Sequence, residues 1–411
     1  MKENKIKKNF IWNTIGTTLN SFNSLFFLIL VTRINGINDA GVFSFGFSLA
    51  CVFYCIGNYS GRIYQVTERD SKYSNSDFIY TKILTCILMM GISIIYILLK
   101  GYVLDKILIL LSLITFKMIE AFSESLYGII QKNGDLYKVG ISMLLKGVMA
   151  LIVFFIIDYF SKNIILASFS LIIVNIIIVL FYDLKNVKEY KFKLEEFDRY
   201  KVTNILRAGF CTFLFTLLNL YVINAPKYAI DGLLSDKFQT IFGIIVMPAT
   251  IMILCSQFLM HPFLVALTEN LSNNDKKCFI DIVIKLSLGV FLIGIVGCIF
   301  AYFFGIPLLS FLYGIDLGKY LNCLLIIIVG ATFFGVSYII SNALTSMRKT
   351  VSQVVVYIIV SIFSYFISRF LVNINGVFGA SLSYFASMIL LLILYLIIYF
   401  ISLNKWRSND G

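Results

Sequence analysis

The chain has 411 residues, of which 59% are hydrophobic and only 14% are charged, and its mean hydropathy is +0.91. Soluble domains contain about 45–50% apolar and about 25% charged residues, so this composition excludes a soluble globular protein. The formal net charge is +12. Because the basic residues flank apolar segments, the excess of positive charge follows from membrane topology. It suits a surface of anionic lipid and does not require a nucleic-acid partner.

Apolar segments of about 20 residues recur along the whole chain, and each is long enough to cross a hydrocarbon core of roughly 30 Å. They predict an all-α polytopic membrane protein with about twelve transmembrane helices. The predicted spans are residues 10–32, 41–60, 78–99, 107–130, 139–157, 163–182, 204–226, 238–262, 280–304, 320–345, 350–370 and 377–402.

The distribution of lysine and arginine predicts how the chain is oriented. If the N-terminal stretch MKENKIKKN is cytoplasmic, the two termini and the even-numbered connections carry well over half of the 34 basic residues. Cytoplasmic connections are the ones enriched in basic residues, so both termini are expected in the cytoplasm. The first apolar stretch has the length of a span and lacks a small-residue cleavage site, so we expect no cleaved signal peptide.

The charged connection 183–203 predicts a division into two lobes of six spans, residues 1–203 and 204–411. A faint repeat supports this division, because DAGVFSFG (39–46) and DKFQTIFG (236–243) share aspartate, phenylalanine and glycine at the same spacing. An even number of spans in each half makes the lobes parallel, related by a pseudo-two-fold axis along the membrane normal. Such lobes hold a substrate at their interface and work by alternating access.

The motifs of catalysis and cofactor binding are missing from the sequence. There is no GxxxxGK[ST] phosphate loop and no HExxH or Cys/His cluster, so neither ATP hydrolysis nor a metal site is predicted. His261 precedes Pro262 at the end of a span, and the eight cysteines are interpreted as free thiols. No sizeable connection can host a polymerase site. We therefore expect a protein that is not an enzyme and needs no cofactor.

The fourth predicted span contains three charged residues, Lys117, Glu120 and Glu124, and the fifth contains Lys146. Charges inside spans are costly and are treated as functional hypotheses. The spacing of the first three places them on one helical face, which must point toward protein or water. Glu124 and Lys146 lie at matching depths, so we expect an ion pair between them, which serves either function or helix packing.

Lys117 lies near the middle of the membrane, about 21 Å from the cytoplasmic boundary, with Glu120 one turn away as its partner. A cation at this depth suits an anionic ligand in a central cavity, although a structural role is equally compatible with the sequence. Arg33, in VTRING, and Arg62, in NYSGRIYQ, lie at span ends. Each is a candidate for binding a phosphate, and each also fits a simple interfacial anchor.

The stretch NAPKYAID, residues 224–231, places a proline and two charges between long apolar runs. Asn224 opens this stretch. Pro226 lacks a backbone donor and frees carbonyls near residue 222, so we expect it to bend or end the seventh span. Lys227 and Asp231 are four residues apart and close enough to pair if the helix continues. The stretch is either an interfacial stop signal or a bend that forms the outer gate.

Four stretches, taken together, resemble the Wzx-type polysaccharide repeat-unit flippases of the multidrug/oligosaccharidyl-lipid/polysaccharide exporter (MOP) superfamily. NAPKYAID is the most specific of them. The other three are VTRINGINDAGVFSFG (31–46), GRIYQVTERD (61–70) and LYGIDLGKY (312–320). The resemblance covers essentially the whole chain in length, number of spans and order of motifs.

The resemblance implies two six-helix lobes around a central cationic cavity. It further implies transport of undecaprenyl-pyrophosphate-linked oligosaccharides, of the O-antigen or capsule type, across the bacterial cytoplasmic membrane. The expected partners are this lipid-linked substrate, membrane lipid, and the polysaccharide polymerase and chain-length machinery. The alternatives are a cation-coupled multidrug exporter of the same superfamily, for which Glu120 and Glu124 are candidate sites, and a polysaccharide polymerase.

Overall fold

A computed structural model describes residues 2–59, 61–67 and 72–406, and almost all of them are helical. Contacts between residues divide the chain into two compact units, Met1–Leu217 and Leu218–Gly411. The division falls inside a long helix, 14 residues beyond the end of the charged connection that prompted the sequence-based division. The predicted class, an all-α polytopic membrane protein, is confirmed.

The first unit consists of eight helices and the first half of a ninth. They are α1 (Lys2–Ile34), α2 (Ile37–Gly57), α3 (Gly61–Thr67), α4 (Asn75–Lys100), α5 (Leu104–Lys132), α6 (Leu136–Ser161), α7 (Ile164–Ile178), α8 (Leu184–Glu189) and α9 (Arg199–Leu233). A π-helical turn, Val179–Asp183, joins α7 to α8.

The second unit contains the rest of α9 and six further helices. They are α10 (Asp236–Met260), α11 (Leu264–Ser272), α12 (Lys276–Phe300), α13 (Ile306–Tyr313), α14 (Leu321–Ser346) and α15 (Thr350–Lys405). Short 3₁₀ turns precede α11 and α14, and a π-helical turn, Ala301–Gly305, follows α12.

Ten helical segments among the described residues are long and apolar enough to cross a membrane. The charged helix α5 is not one of them, although it coincides with the fourth predicted span. Helix α15 covers two predicted spans, and its backbone leaves the helical conformation at Gly376, with φ 56° and ψ −129°. Only glycine adopts this conformation readily, so Gly376 separates the two halves of α15. Each of the twelve predicted spans therefore coincides with helix.

In the first unit, α1 packs along α6 at backbone contact distance. A β-carbon at Gly16 would lie 2.3 Å from the carbonyl oxygen of Gly140, so neither position has room for a side chain. Small residues of this kind let membrane helices approach closely. Farther along the same pair, the ring of Phe154 lies 5.1 Å from that of Phe27 and 5.6 Å from that of Phe43, which joins α2 to the contact.

The outer faces of the units are apolar, as expected for contact with lipid. On α4, for example, Ile87, Leu98 and Leu99 are largely exposed, whereas α2 and α14 are mostly buried. In the second unit, α14 packs against α10, α12 and α15. A β-carbon at Gly294 would lie 2.4 Å from the hydroxyl of Thr332, so glycine again permits the close approach of two helices.

The start of α1 is fixed to the turn between α5 and α6. Asn9 donates to the carbonyl of Gly134 and accepts from the backbone of Tyr137, both at 2.9 Å. Lys5 pairs with Asp135 at 2.6 Å, and Tyr190 donates to the same carboxylate. Burial opposes ionisation of Asp135, but these two hydrogen bonds outweigh it and lower its pKa. The turn is therefore held by charge as well as by packing.

Candidate functional site

Helix α5 places Lys117, Glu120 and Glu124 on one face within the first unit, as their spacing predicts. The ammonium of Lys117 lies 2.6 Å from a carboxylate oxygen of Glu120, which confirms the predicted partner. The same ammonium lies 4.8 Å from the centre of the Phe47 ring, a distance suited to a cation–π contact. The ammonium thus has an anionic and an aromatic partner inside the helical bundle.

The predicted ion pair between Glu124 and Lys146 is wrong. Lys146 pairs with Asp183 instead, at 2.6 Å, and the side chains of the two residues are 7% and 0% exposed. Asp183 lies in the π-helical turn after α7, where one extra residue per turn changes the direction of the following side chains. No motif in the sequence marks this turn, and Asp183 falls in the charged connection 183–203.

Hydroxyl groups satisfy the remaining hydrogen-bonding capacity of this buried pair. Lys146 also donates to Ser123 at 2.7 Å and to the phenol oxygen of Tyr127 at 2.9 Å. Ser142 donates to the second oxygen of Asp183 at 2.5 Å. A buried ion pair is tolerated only when such additional hydrogen bonds complete it. The network therefore fixes α5, α6 and the π-helical turn to one another.

The carboxylate of Glu124 faces a different cation, Arg62 of helix α3, at 3.7 Å. This distance is too long for a hydrogen bond, and Nη1 of Arg62 is buried without a hydrogen-bond partner. Nearby, Lys82 of α4 is 5% exposed and donates to the side-chain oxygen of Asn58 at 3.1 Å. Lys82 is not among the candidate site residues that the sequence indicates.

Two small polar cavities connect these charges, and Glu124 lines both of them. One, of about 30 Å³, is lined by Asn20, Tyr54, Glu120, Glu124, Tyr127, Met143 and Lys146. The other, of about 10 Å³, has among its lining residues Arg62, Gln65, Thr81, Lys82 and Glu124. Five charged residues line these cavities, and Lys117 and Asp183 pair with two of them, Glu120 and Lys146. We call these seven residues the charged cluster: Arg62, Lys82, Lys117, Glu120, Glu124, Lys146 and Asp183. The cluster can hold an anionic group only after local rearrangement, because the cavities are small.

The NAPKYAID stretch lies within α9 in the second unit. Helix α9 continues through Pro226 to Leu233, so of the two predicted effects of this proline an end of the span is excluded, and a bend stays a prediction. Asn224 donates to the carbonyl of Leu220 at 3.0 Å, and the side chain of Gln239 donates to the carbonyl of Lys227 at 2.6 Å. These side chains supply hydrogen bonds near the turn that the proline interrupts.

The burial of its side chains shows where the charges of this stretch lie. Lys227 is 6% exposed, and Ala225 and Ile230 are also buried. The lysine side chain is therefore buried and does not face lipid. Asp231, one turn later, is half-buried. Arg33, by contrast, is exposed in the last turn of α1, and it is not part of the charged cluster.

Comparisons with known proteins support the fold. No protein-family model matches the chain. The capsular polysaccharide biosynthesis protein CapF of Staphylococcus aureus is 28% identical over 346 residues, which cover 82% of this chain and 83% of CapF. An inward-facing multidrug resistance MATE family transporter of the MOP superfamily aligns with a TM-score of 0.74 and 12% identity, over 98% of this chain and 100% of the transporter.

A second solved structure, the lipid II flippase MurJ in an inward closed conformation, aligns with a TM-score of 0.71 and 17% identity. This alignment covers 96% of the chain and 90% of MurJ. The chain is thus a multi-pass membrane protein with the fold of transporters and flippases. More particularly, it has the fold of solved transporters of the MOP superfamily, which is the fold that the resemblance seen in the sequence implies.

Proposed function

We propose that the protein is a flippase for lipid-linked oligosaccharides, and that it moves undecaprenyl-pyrophosphate-linked repeat units across the bacterial cytoplasmic membrane by alternating access. The observation that carries this proposal is the similarity to CapF over 82% of the chain, on a fold that a lipid II flippase shares. It favours the Wzx-type branch of the superfamily. Both termini are then cytoplasmic, and the polymerase and chain-length machinery act downstream.

The composition of the charged cluster supports an anionic substrate. Four of its members are cations, namely Arg62, Lys82, Lys117 and Lys146. Only three carboxylates accompany them, so the cluster has a net positive charge inside an apolar bundle. A pyrophosphate compensates such an excess directly and requires no covalent chemistry, because translocation breaks no bond.

The proposal is tested by deleting the gene and labelling lipid-linked oligosaccharides in each leaflet. We expect complete repeat units to accumulate in the inner leaflet, with surface polysaccharide lost and both restored by the wild-type gene. Accumulation in the outer leaflet would instead indicate a polymerase, because polymerisation uses units that have already crossed. Normal surface polysaccharide in the deletion strain would contradict the proposed function.

A cation-coupled drug exporter is the second candidate, and one observation favours it. Glu120 and Glu124 line the same polar cavity, as carboxylates that exchange a cation would. Efflux of a cationic dye from cells expressing the protein separates the two candidates. Dye efflux together with unchanged surface polysaccharide in the deletion strain would establish the exporter.

Lys117 provides the most direct test of the substrate's charge. We expect Lys117→Ala to lower flipping by roughly tenfold or more, since a hydrogen bond to a charged group contributes about 1.5–3 kcal/mol. Lys117→Arg should retain part of the activity, because it keeps the charge. The measurement is complementation of surface polysaccharide in the deletion strain, with protein abundance followed by immunoblot.

The interpretation of a loss of function in Lys117→Ala depends on the abundance of the variant protein. The variant leaves Glu120 without its partner, so Glu120→Gln combined with Lys117→Ala serves as the control for an unpaired charge. If the double variant exports normally, Lys117 acts only as the counterion of Glu120. Full export by Lys117→Ala alone would remove Lys117 from the mechanism.

A further inference from the structure

Helix α1 has an unusual composition for a membrane span. Eight of the twelve residues from 13 to 24, NTIGTTLNSFNS, are asparagine, serine or threonine, and none is charged. Among the ten described segments that are long and apolar enough to cross a membrane, the one in α1 has the lowest mean hydropathy. Neutral polar groups are thus concentrated on one helix at membrane depth, where lipid cannot supply their hydrogen bonds.

The polar groups of α1 include a stripe that lies opposite its exposed apolar side. Ile11, Ile15 and Phe26 project from that apolar side and are 42%, 45% and 40% exposed, as expected for contact with lipid. Four residues that recur at intervals of three or four lie on the opposite face over about 16 Å, and we call them the polar stripe: Asn13, Thr17, Asn20 and Ser24. Thr17 is exposed and the other three are half-buried, so a ligand can reach the stripe.

The polar stripe reaches the charged cluster through a shared cavity. Asn20 lines the polar cavity of about 30 Å³ together with Glu124 and Lys146 of the cluster. Met143 of α6 lines the same cavity, and the hydroxyl of Thr17 lies 3.9 Å from the sulfur of Met143. A ligand whose anionic group contacts the cluster therefore has its neighbouring group beside Thr17 and Asn20.

The chemistry of the stripe matches sugar hydroxyls rather than a phosphate. The hydroxyl of Thr17 and the amide of Asn20 both donate and accept hydrogen bonds, and neither carries a charge. The side-chain oxygen of Asn13, one turn before Thr17, is buried and accepts no hydrogen bond from any residue in the described part of the chain. A sugar hydroxyl can donate to such an oxygen, whereas an ionised phosphate can only accept.

We infer that the polar stripe binds the sugar next to the pyrophosphate, and that Thr17 and Asn20 help to determine which lipid-linked oligosaccharide is transported. The inference rests on the proposed function and deepens it, because it separates recognition of the sugar from recognition of the pyrophosphate. Every substrate of this class carries the pyrophosphate, so the charged cluster cannot distinguish one sugar from another. Groups placed to hydrogen-bond a hydroxyl discriminate against a ligand that lacks it.

The experiment compares two lipids: undecaprenyl pyrophosphate without a sugar, and the lipid-linked repeat unit extracted from the deletion strain. Native mass spectrometry measures the binding of each lipid to the purified full-length protein. Thr17→Val and Asn20→Ala should each weaken binding of the repeat unit by roughly fivefold, as expected for the loss of one hydrogen bond, and the double variant by roughly tenfold or more. All three variants should bind undecaprenyl pyrophosphate as the wild type does.

Thr18→Val is the matched control, because it makes the same change about 100° around α1 from Thr17 and outside the polar stripe. It should bind both lipids as the wild type does. Thr17→Ser keeps the hydroxyl and should also retain binding of the repeat unit. If Thr17→Val does not fold, Thr17→Ala removes the same hydroxyl and repeats the test.

Equal losses of both lipids in Thr17→Val and Asn20→Ala would overturn the inference, since they would assign the stripe to the pyrophosphate or to the fold. Unchanged binding of both lipids by the double variant would overturn it as well. Either result is distinguishable from failure of the proposed function, because surface polysaccharide in the deletion strain is measured separately.

Discussion

Lys146 and Asp183 form a buried ion pair in which each charge needs the other. Both side chains lie in the interior of the first unit, where neither charge is solvated. Removing one partner leaves the other charge unpaired, which costs about 3–5 kcal/mol in buried pairs, whereas removing both is often tolerated. The pair therefore separates a structural role from a role in transport.

We expect Lys146→Met and Asp183→Leu each to lower the abundance of the protein in the membrane. The double variant should recover most of that abundance, because no unpaired charge remains. Immunoblotting of membrane fractions measures abundance, and complementation of surface polysaccharide measures export. If the double variant is abundant but does not export, the lysine acts on the substrate as well as on the fold.

The pair between Lys138 and Glu189 provides a matched control. It also joins α6 to the segment after α7, and its two charged groups lie 2.5 Å apart. Glu189, however, is 53% exposed, so water solvates its carboxylate when Lys138 is replaced. Lys138→Met should therefore change abundance little. A large loss there would show that any contact between these two elements is critical, and the burial argument for Lys146 would fail.

At the scale of the element, α9 contains a proline that does not end it. Pro226 leaves one carbonyl without its helical donor, yet α9 continues for seven residues to Leu233. Because the surrounding stretch is buried and Gln239 binds the carbonyl of Lys227, this part of the helix is held by its own unit. An interfacial stop signal does not account for such an arrangement, and a bend that moves during transport remains our proposal.

That proposal predicts that Pro226→Ala and Lys227→Ala both impair export of surface polysaccharide at unchanged protein level. Pro226→Ala restores a backbone donor and stiffens the helix, whereas Lys227→Ala removes a buried cation. Lys227→Arg should be milder because it keeps the charge. Complementation and immunoblotting measure both quantities. Normal export by the two alanine variants would assign the stretch to packing alone.

At the scale of the whole molecule, the sequence was sufficient for what depends on length and periodicity. Apolar runs of span length located the long helices, ten segments of which are long and apolar enough to cross a membrane, because crossing a membrane requires continuous hydrocarbon contact. The pairing of Lys117 with Glu120 was predictable too, since residues three apart on a helix are neighbours whatever the tertiary structure. The apolar runs and the pairing of Lys117 with Glu120 both depend only on residues that are close together in the sequence.

The features that sequence reasoning missed depend on how separate helices meet. Matching depth suggested Glu124 as the partner of Lys146, but depth does not determine which faces of two helices oppose each other. Asp183 reaches Lys146 from a third element through a π-helical turn, for which no sequence signature exists. Lys82 was missed for the same reason, because its partner Asn58 lies on a different segment.

The tight contact between α1 and α6 has a consequence for biogenesis. The hydrogen bond from Asn9 to Gly134 spans 125 residues of sequence, so the ribosome must add that length before α1 can meet its partner. At about 5–20 residues per second, α1 waits roughly 6–25 s in the membrane with its glycine surface uncovered. We therefore expect nascent chains that stop before α6 to be degraded by membrane proteases, because the glycine surface of α1 stays uncovered in them.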